Sequence, residues 1–416
     1  MSWINDLQTP GIKFSISEYT ADSVLSYDEM LALFQEVSLE GITSAEFSDL
    51  QSVYINSTSY FANSYVKTIS HNVIYGHASN KIWTGGVKAA SDTNVLGNME
   101  AGTSAQNAKL LVDKWFLGLD LPIPDAGGDT AKGIVSGGVF SYSLSTGSFG
   151  LVEFDDVYQG LAGTCYLLAA LGSIANTAPQ YITNAIRDNG NGTYGVRFFQ
   201  GGQEEWVTVN YSIPVYPNQG VVFASANAER SLAGENWVSL FEKAYAQLKG
   251  NSYSGIEGGL ADPLTEITQL DYEVCYYPYH GPGLAYKQQM VDSLNQGSIG
   301  WLGSWGEPYD SGNGKVNLVA GHAFMLLGYN ADTDKFIIRN PWGPGNSWNV
   351  QFELSFDEFW NSEVQAYVAL TSPSKDSIDY AYSISSNSES IQNAVSEGEA
   401  ITFTITRSST GTESTV

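Results

Sequence analysis

One stretch constrains this chain more than any other: Gln159-Gly160-Leu161-Ala162-Gly163-Thr164-Cys165, followed by the apolar run Tyr166-Leu167-Leu168-Ala169-Ala170. The glycines read as a turn, and the apolar run after them reads as a helix. The turn therefore delivers Cys165 to the N-terminus of a helix. Unpaired N–H groups and a partial positive charge gather at such an end. A thiol there ionises more readily, and the thiolate is the nucleophile. Gln159, six residues earlier, carries a side-chain N–H suited to a developing oxyanion. A merely structural cysteine needs neither the turn nor the glutamine.

The partners for such a thiol lie downstream. Gly321-His322-Ala323-Phe324-Met325-Leu326-Leu327 puts a histidine at the head of a strand-like run. Phe336-Ile337-Ile338-Arg339-Asn340-Pro341-Trp342-Gly343 ends a second strand in an asparagine that a proline and a glycine stop. Between them, Asn330-Ala331-Asp332-Thr333-Asp334 reads as a hairpin connection. Adjacent antiparallel strands then hold His322 and Asn340 side by side. Cysteine, histidine and asparagine, in that order, form a set in which the thiol attacks, the imidazole moves the proton and the amide orients the ring.

With these residues in view, the chain resembles the calpain catalytic core, a papain-like cysteine protease. Gln159 to Tyr166 matches the family's segment around its cysteine, Gly321 to Phe324 that around its histidine, and Arg339 to Gly343 that around its asparagine. Trp237-Val238-Ser239-Leu240-Phe241-Glu242-Lys243-Ala244-Tyr245 resembles the helix between them, and the likeness covers roughly residues 135–370. The Asn-Pro-Trp-Gly segment argues for calpains against the papain branch and against transglutaminase-like acyl transferases. The resemblance implies a two-lobed α+β fold, with a helical lobe bearing the cysteine and a β-rich lobe bearing the histidine and asparagine. It implies Cys165 as nucleophile, His322 as base, Asn340 as orienter and Gln159 in the oxyanion hole. It makes Trp342 the tryptophan between the halves of the cleft. It makes Asp156 an acidic calcium ligand of the first half, while the chemistry itself requires no cofactor.

Departures from the family pattern are local. Thr164 stands where calpains usually have Asp, and Tyr166 where they usually have Trp. In the second half, Asn346-Ser347 precede Trp348 where an acidic residue is usual, and Asn349-Val350 follow it. The alternative that these weakened calcium positions raise is a catalytically silent calpain fold serving as an extracellular binding module. The retention of all three catalytic types and of Gln159 speaks for the enzyme.

Four segments follow from pattern and composition. Residues 1–128 read as a mostly helical pro- or regulatory segment with its linker. Ser26-Tyr27-Asp28-Glu29 and Thr103-Ser104-Ala105-Gln106 read as capping boxes, and Leu121 to Gly128 is rich in proline and glycine. Such a segment is either a prodomain that fills the cleft, released by self-cleavage near Lys132-Gly133, or a helical accessory domain. Residues 129–262 form the first protease lobe, with strands at Gly195–Phe199 and Trp206–Tyr211, and residues 263–372 the second. The loop from Gly303 to Lys315 reads as a gate beside the histidine strand. Residues 373–416 hold a Ser/Asn-rich linker and an alternating Ile/Phe/Thr stretch similar to the start of a Calx-β repeat. That likeness implies a longer, modular protein.

Composition excludes some partners. A net charge of −26, from 44 acidic and 18 basic residues, disfavours nucleic acid, because no basic surface neutralises phosphates. The same acidity suits a calcium-rich or extracellular setting. No run of 18 apolar residues spans a membrane, and Met1 to Phe14 lacks the pattern of a signal peptide. The expected partners are protein or peptide substrates and, on the prodomain alternative, the chain's own N-terminal segment as an inhibitor. The two cysteines make no disulfide framework, and Cys275, within Tyr272 to Tyr277, reads as a buried strand residue. His71, His77 and His280 read as ordinary polar residues, Asp332 and Asp334 as turn formers, and Gly258-Gly259 as a cap and turn.

Overall fold

The computed structural model describes residues 2–415 apart from 88–89, 127–137, 218–219, 278–283, 311, 313, 374–380, 387–402 and 410–411. Lys132, Gly133 and His280 lie outside the described residues.

Five helices make up the N-terminal part: α1 (Pro10–Tyr19), α2 (Tyr27–Val37), α3 (Ser44–Asn56), α4 (Ser64–Ile74) and α5 (Ala105–Trp115). Local chemistry starts them. Ser26 and Glu29 form a reciprocal capping box at α2, as expected, and Thr43 and Glu46 form a second one at α3. At α5 the expected box is a simple cap. Ser104 rather than Thr103 is the cap residue, and the third helical position is Asn107, whose N–H the Ser104 hydroxyl accepts at 3.2 Å. Met30, Leu33, Phe34 and Val37 recur at helical spacing and are all buried. The apolar faces of α1–α5 close on one core, and Trp206 completes it from a strand far along the chain.

That strand belongs to a three-stranded antiparallel sheet of β1 (Ile186–Asp188), β2 (Thr193–Gln200) and β3 (Gln203–Asn210). The helical part is fastened to it by buried tyrosines. Tyr65 packs on Trp206 with ring centroids 5.2 Å apart, and its hydroxyl lies 2.8 Å from Thr208 Oγ1. Tyr27 reaches Thr193 Oγ1 at 3.3 Å.

The same region contains α6 (Cys165–Thr177), α7 (Gln180–Asn184), α8 (Trp237–Leu248) and α9 (Asp262–Thr268). Tyr166 through Ala175 of α6 are all buried, as a helix apolar on every side must be. After α9 comes a six-stranded antiparallel sheet, with α10 (Leu284–Asn295) between its first two strands. In chain order its strands are β4 (Tyr272–Tyr276), β5 (Gly300–Ser304), β6 (His322–Asn330), β7 (Lys335–Arg339), β8 (Gln351–Leu354) and β9 (Ala366–Thr371); in space they run β4-β9-β5-β6-β7-β8. One face buries Trp301, Ala323, Met325 and Ala369 with α6 and α8. The other buries Leu302, Phe324, Leu326, Ile338 and Val368. This alternation is the period-2 pattern of a sheet covered on both sides.

Cys275 is buried in β4, and burial pushes its thiol above the usual range, so it stays neutral and inert. At the C-terminus, Ala381–Ser386, Phe403–Ser409 and Thr412–Thr415 pair as a small antiparallel sheet. Much of the stretch that resembles a Calx-β start, 396–402, lies outside the described residues. No described helix is long and apolar enough to cross a membrane.

Candidate active site

The site is assembled where α6 meets β6. The two elements run in the same direction and in step. Gly172 lies against Met325, and Asn176 Nδ2 donates to the Leu327 carbonyl at 3.0 Å. From Asn176 back to Cys165 the helix climbs about 16 Å, at about 1.5 Å per residue. From Leu327 back to His322 the strand covers about 16 Å, at about 3.3 Å per residue. Helix and strand therefore begin at the same end, Cys165 on one and His322 on the other. Trp301 of β5 anchors the helix start by donating its indole N–H to the Tyr166 carbonyl at 3.0 Å.

The hairpin expected at 330–334 is present, with Asn330 opposite Lys335 and Met325 opposite Arg339. Asn340 follows directly and is fully buried. His322 Nε2 and Asn340 Oδ1 are 3.0 Å apart. The same oxygen accepts the backbone N–H of Trp342 at 2.9 Å. A carbonyl oxygen only accepts, so this contact places a proton on Nε2, and Nδ1 is the ring nitrogen not engaged by Asn340. The ring is also wedged by aromatics, with the Phe324 centroid at 4.7 Å and that of Trp342 at 4.5 Å. Trp342 in turn meets Trp348 at 5.0 Å, so its described ring contacts lie on the histidine side.

Gln159 is buried, 4% exposed, and joins the two parts of the site through its backbone. Its N–H donates to the Pro341 carbonyl at 2.7 Å. Gly343, at a positive φ of 71°, presses so close to Tyr158 that a Cβ would come within 2.1 Å of its ring. Arg339 Nη2 donates to the Asp155 carbonyl at 3.0 Å. The segment before the cysteine and the segment after the asparagine are thus in direct contact. The Gln159 side chain donates one amide hydrogen to the Ala162 carbonyl at 2.8 Å, which leaves its second N–H for another acceptor.

Asp156 sits in a short turn with Glu153 and Asp155, and one oxygen from each of the three carboxylates lies within 4.8 Å of the others. Such an oxygen set suits a hard divalent cation such as calcium. Burial pushes the Asp156 carboxyl up to about 6; the Trp237 indole N–H, 3.2 Å away, opposes that rise, and the neighbouring Glu235 adds to it. Among the described residues, Trp348 in the second half meets no such cluster. Its indole donates to the Gly343 carbonyl at 2.8 Å, and the Ser347 carbonyl accepts from Val316. That last bond, made by the residue just after the loop expected to gate the cleft, ties the loop's end to the Trp342–Trp348 segment. A short ribbon, Tyr309–Asp310 against Val316–Leu318, starts inside the loop and ends past it.

The remaining histidines behave as polar residues of the fold. His77 caps a short turn by accepting the Ser79 N–H at 3.1 Å, and His71 lies in α4. Asp334 closes the hairpin in a left-handed conformation, paired with Lys287. Three supports of the site reach it from elsewhere in the chain, and of these only Glu242 lies in a motif, the helix that begins at Trp237. Gly258 donates its N–H to the Gly163 carbonyl at 2.9 Å, so the Gly258-Gly259 turn borders the cysteine turn. Arg230 and Glu242 reach the same turn from elsewhere in the chain.

Comparison with known proteins points the same way. Residues 145–378 match the sequence model of the calpain family cysteine proteases. The calpain-type cysteine protease ADL1 of Oryza sativa subsp. japonica is 32% identical over 228 residues, covering 50% of this chain and 10% of that protein. Calpain-13 of Rattus norvegicus is 29% identical over 225 residues, covering 50% of this chain and 32% of that one. Calpain clp-1 of Caenorhabditis elegans is 29% identical over 208 residues, 47% of this chain and 26% of its own length. The chain thus spans between a tenth and a third of the length of these relatives.

Proposed function

The chain belongs to the calpain family of cysteine proteases, and on that premise we propose that it is an endopeptidase of two-lobed, papain-like build working through Cys165, His322 and Asn340. The observation that carries this reading is the 3.0 Å contact between His322 Nε2 and Asn340 Oδ1 at the end of β6 where α6 also begins. With Nε2 given to the asparagine, Nδ1 takes the thiol proton. The thiolate then attacks the scissile carbonyl carbon. The developing oxyanion is met by the Cys165 backbone N–H at the helix start and by the second Gln159 amide N–H. The imidazolium returns its proton to the departing amine as the C–N bond breaks, leaving a thioester. Water, deprotonated by the same imidazole, cleaves the thioester, releases the acid and restores the thiol.

Calcium enters this proposal as a structural effector. Glu153, Asp155 and Asp156 would hold it, and it would offset the mutual repulsion of their carboxylates. For the N-terminal helices, the contacts favour a docked accessory domain over a plug in the cleft. Tyr27, Tyr65 and the core around Trp206 commit that domain to β2 and β3. Self-cleavage remains part of the proposal, in the segment that contains Lys132 and Gly133.

The test is incubation of purified wild type and Cys165→Ala, with and without calcium, read by intact mass and by cleavage of a peptide library. Wild type is expected to cut peptides and to trim itself, and the variant to do neither. Cleavage by the variant would sink the assignment of Cys165. If wild type leaves both itself and the library intact in every condition, the silent binding module becomes the better reading.

A further inference from the structure

The turn that delivers Cys165 is held at one end by the half-buried Arg230 and at the other by the fully buried Glu242, and each reaches it from a distant part of the chain. At the start of the turn, Arg230 Nη1 donates to the Gln159 carbonyl at 3.2 Å. The same guanidinium donates through Nε to the Val221 carbonyl at 2.9 Å and through Nη2 to the carbonyls of Val222, at 3.3 Å, and Phe223. At the end of the turn stands Glu242, fully buried in the middle of α8. Its Oε1 accepts the Thr164 hydroxyl at 2.5 Å, and its Oε2 accepts the Ala224 N–H at 2.7 Å.

Both charges therefore tie the turn to one platform, residues 221–225. The backbone does the same in between. Leu161 donates to the Val222 carbonyl at 2.9 Å, and Tyr158 and Ser225 exchange two bonds, at 3.0 and 2.9 Å. Gly160 lies so close to the platform that a Cβ would stand 2.2 Å from the Phe223 carbonyl oxygen. Arg230 adopts a left-handed backbone, φ 54°, which costs a non-glycine residue free energy and is kept only where the surroundings demand it.

We propose that Arg230 and Glu242 are positioning residues for the nucleophile, fixing the Gln159 amide and the Cys165 thiol at one separation. Thr164, the residue immediately before the cysteine, is the link through which Glu242 acts. The physical reason is the absence of a regular ladder within a turn. Six residues have to be held to a fraction of an ångström, and hydrogen bonds to buried ionised groups are stronger and more directional than neutral ones. Removing the Thr164 hydroxyl leaves a buried carboxylate short of a donor, and the turn shifts to supply one. This inference rests on the reading of Cys165 as the nucleophile.

The experiment uses the full chain with Thr164→Val, Thr164→Ser and Glu242→Gln. It reads kcat and KM on a cleaved peptide, the pH profile of Cys165 alkylation by iodoacetamide, and thermal unfolding. Cys275 is buried and does not compete for the reagent. Thr164→Val is expected to lose about tenfold or more in kcat with KM nearly unchanged, and to alkylate with an altered pH profile, because small misplacements of a reacting group are costly. Thr164→Ser restores the donor and is expected to recover most of both. If Thr164→Val fails to fold, Glu242→Gln, equal in shape but uncharged, must show the same kcat loss at unchanged KM. A folded Thr164→Val with wild-type kcat and alkylation profile overturns the proposal, as does a Thr164→Ser no better than Thr164→Val. The alkylation profile separates this proposal from the protease reading. A wild type that cuts nothing, yet whose Cys165 reactivity falls in Thr164→Val and returns in Thr164→Ser, sustains the positioning role and removes the activity.

Discussion

The two halves of the site are built by opposite means. His322 and Asn340 are placed by strand register. A hairpin sets which residues face each other, and the ladder of β5, β6 and β7, shifted once in register between Leu326 and Gly328, carries the histidine and the asparagine to one end of the sheet. Gln159 and Cys165 are placed by an irregular turn with no ladder of its own, pinned by Arg230, Glu242 and a close-fitting glycine. Register is a repeated, cooperative constraint, so one altered contact is shared among many. A pinned turn depends on a few strong contacts, so its tolerance to change is lower.

The sharpest way to break this comparison is on the register side. In Asn340→Ala the histidine keeps its strand but loses the oxygen that orients it. We expect kcat to fall by about 10²-fold or more, within the range of a positioned acid–base, with β-sheet content by circular dichroism unchanged. Collapse of the sheet in that variant would show that the arm, too, hangs on single contacts. Next in size is Gly160→Ala on the turn side. The added Cβ meets a backbone oxygen that cannot swing away, so the turn has to move. Stability should fall by about 1–3 kcal/mol in denaturant titration. Activity should fall out of proportion to that loss once folded protein is counted. A purely proportional loss would erase the contrast between the two halves.

The smallest effect concerns the acidic turn just upstream. A carboxyl raised from 3.8 to about 6 by burial favours the protonated native state, so ionising Asp156 lowers stability as pH climbs from 3.8 through about 6. Without divalent ions, Asp156→Asn should therefore be more stable than wild type at about pH 7.5 in thermal unfolding, by no more than about 1 kcal/mol for a half-exposed side chain. That advantage should shrink toward zero near pH 4. Calcium should stabilise wild type more than the variant. An equal response of the two proteins to calcium would remove Asp156 from the cation site.

The same contrast explains what could be read from the sequence. His322, Asn340 and their hairpin were legible because register follows from alternation and turn chemistry within twenty residues of chain. The helix behind Cys165 was legible from its unbroken apolar run. The supports of the turn were not. Arg230 sits in a loop with no periodicity, and its role depends on a left-handed backbone that arginine rarely adopts. Glu242 looked like one more polar residue on a patterned helix, yet it faces inward. Gly258 read as a simple turn because only the folded chain brings it to Gly163. At the start of α5 the sequence offered two adjacent hydroxyl residues, and the backbone N–H of Asn107 donates to the hydroxyl of Ser104.

Trp206 gives the helical domain a property that a contact map alone does not announce. It is a residue of the β1–β3 sheet that fills the centre of a core otherwise made by residues 4–116. Each part keeps a core of its own, and the two are joined because a residue of one is buried in the core of the other. Scission of the connecting peptide would not separate the pieces. They would co-migrate on a sizing column and come apart only in denaturant, so that proteolytic maturation in this molecule, where it occurs, would register as a nick within an intact particle rather than as the shedding of a fragment.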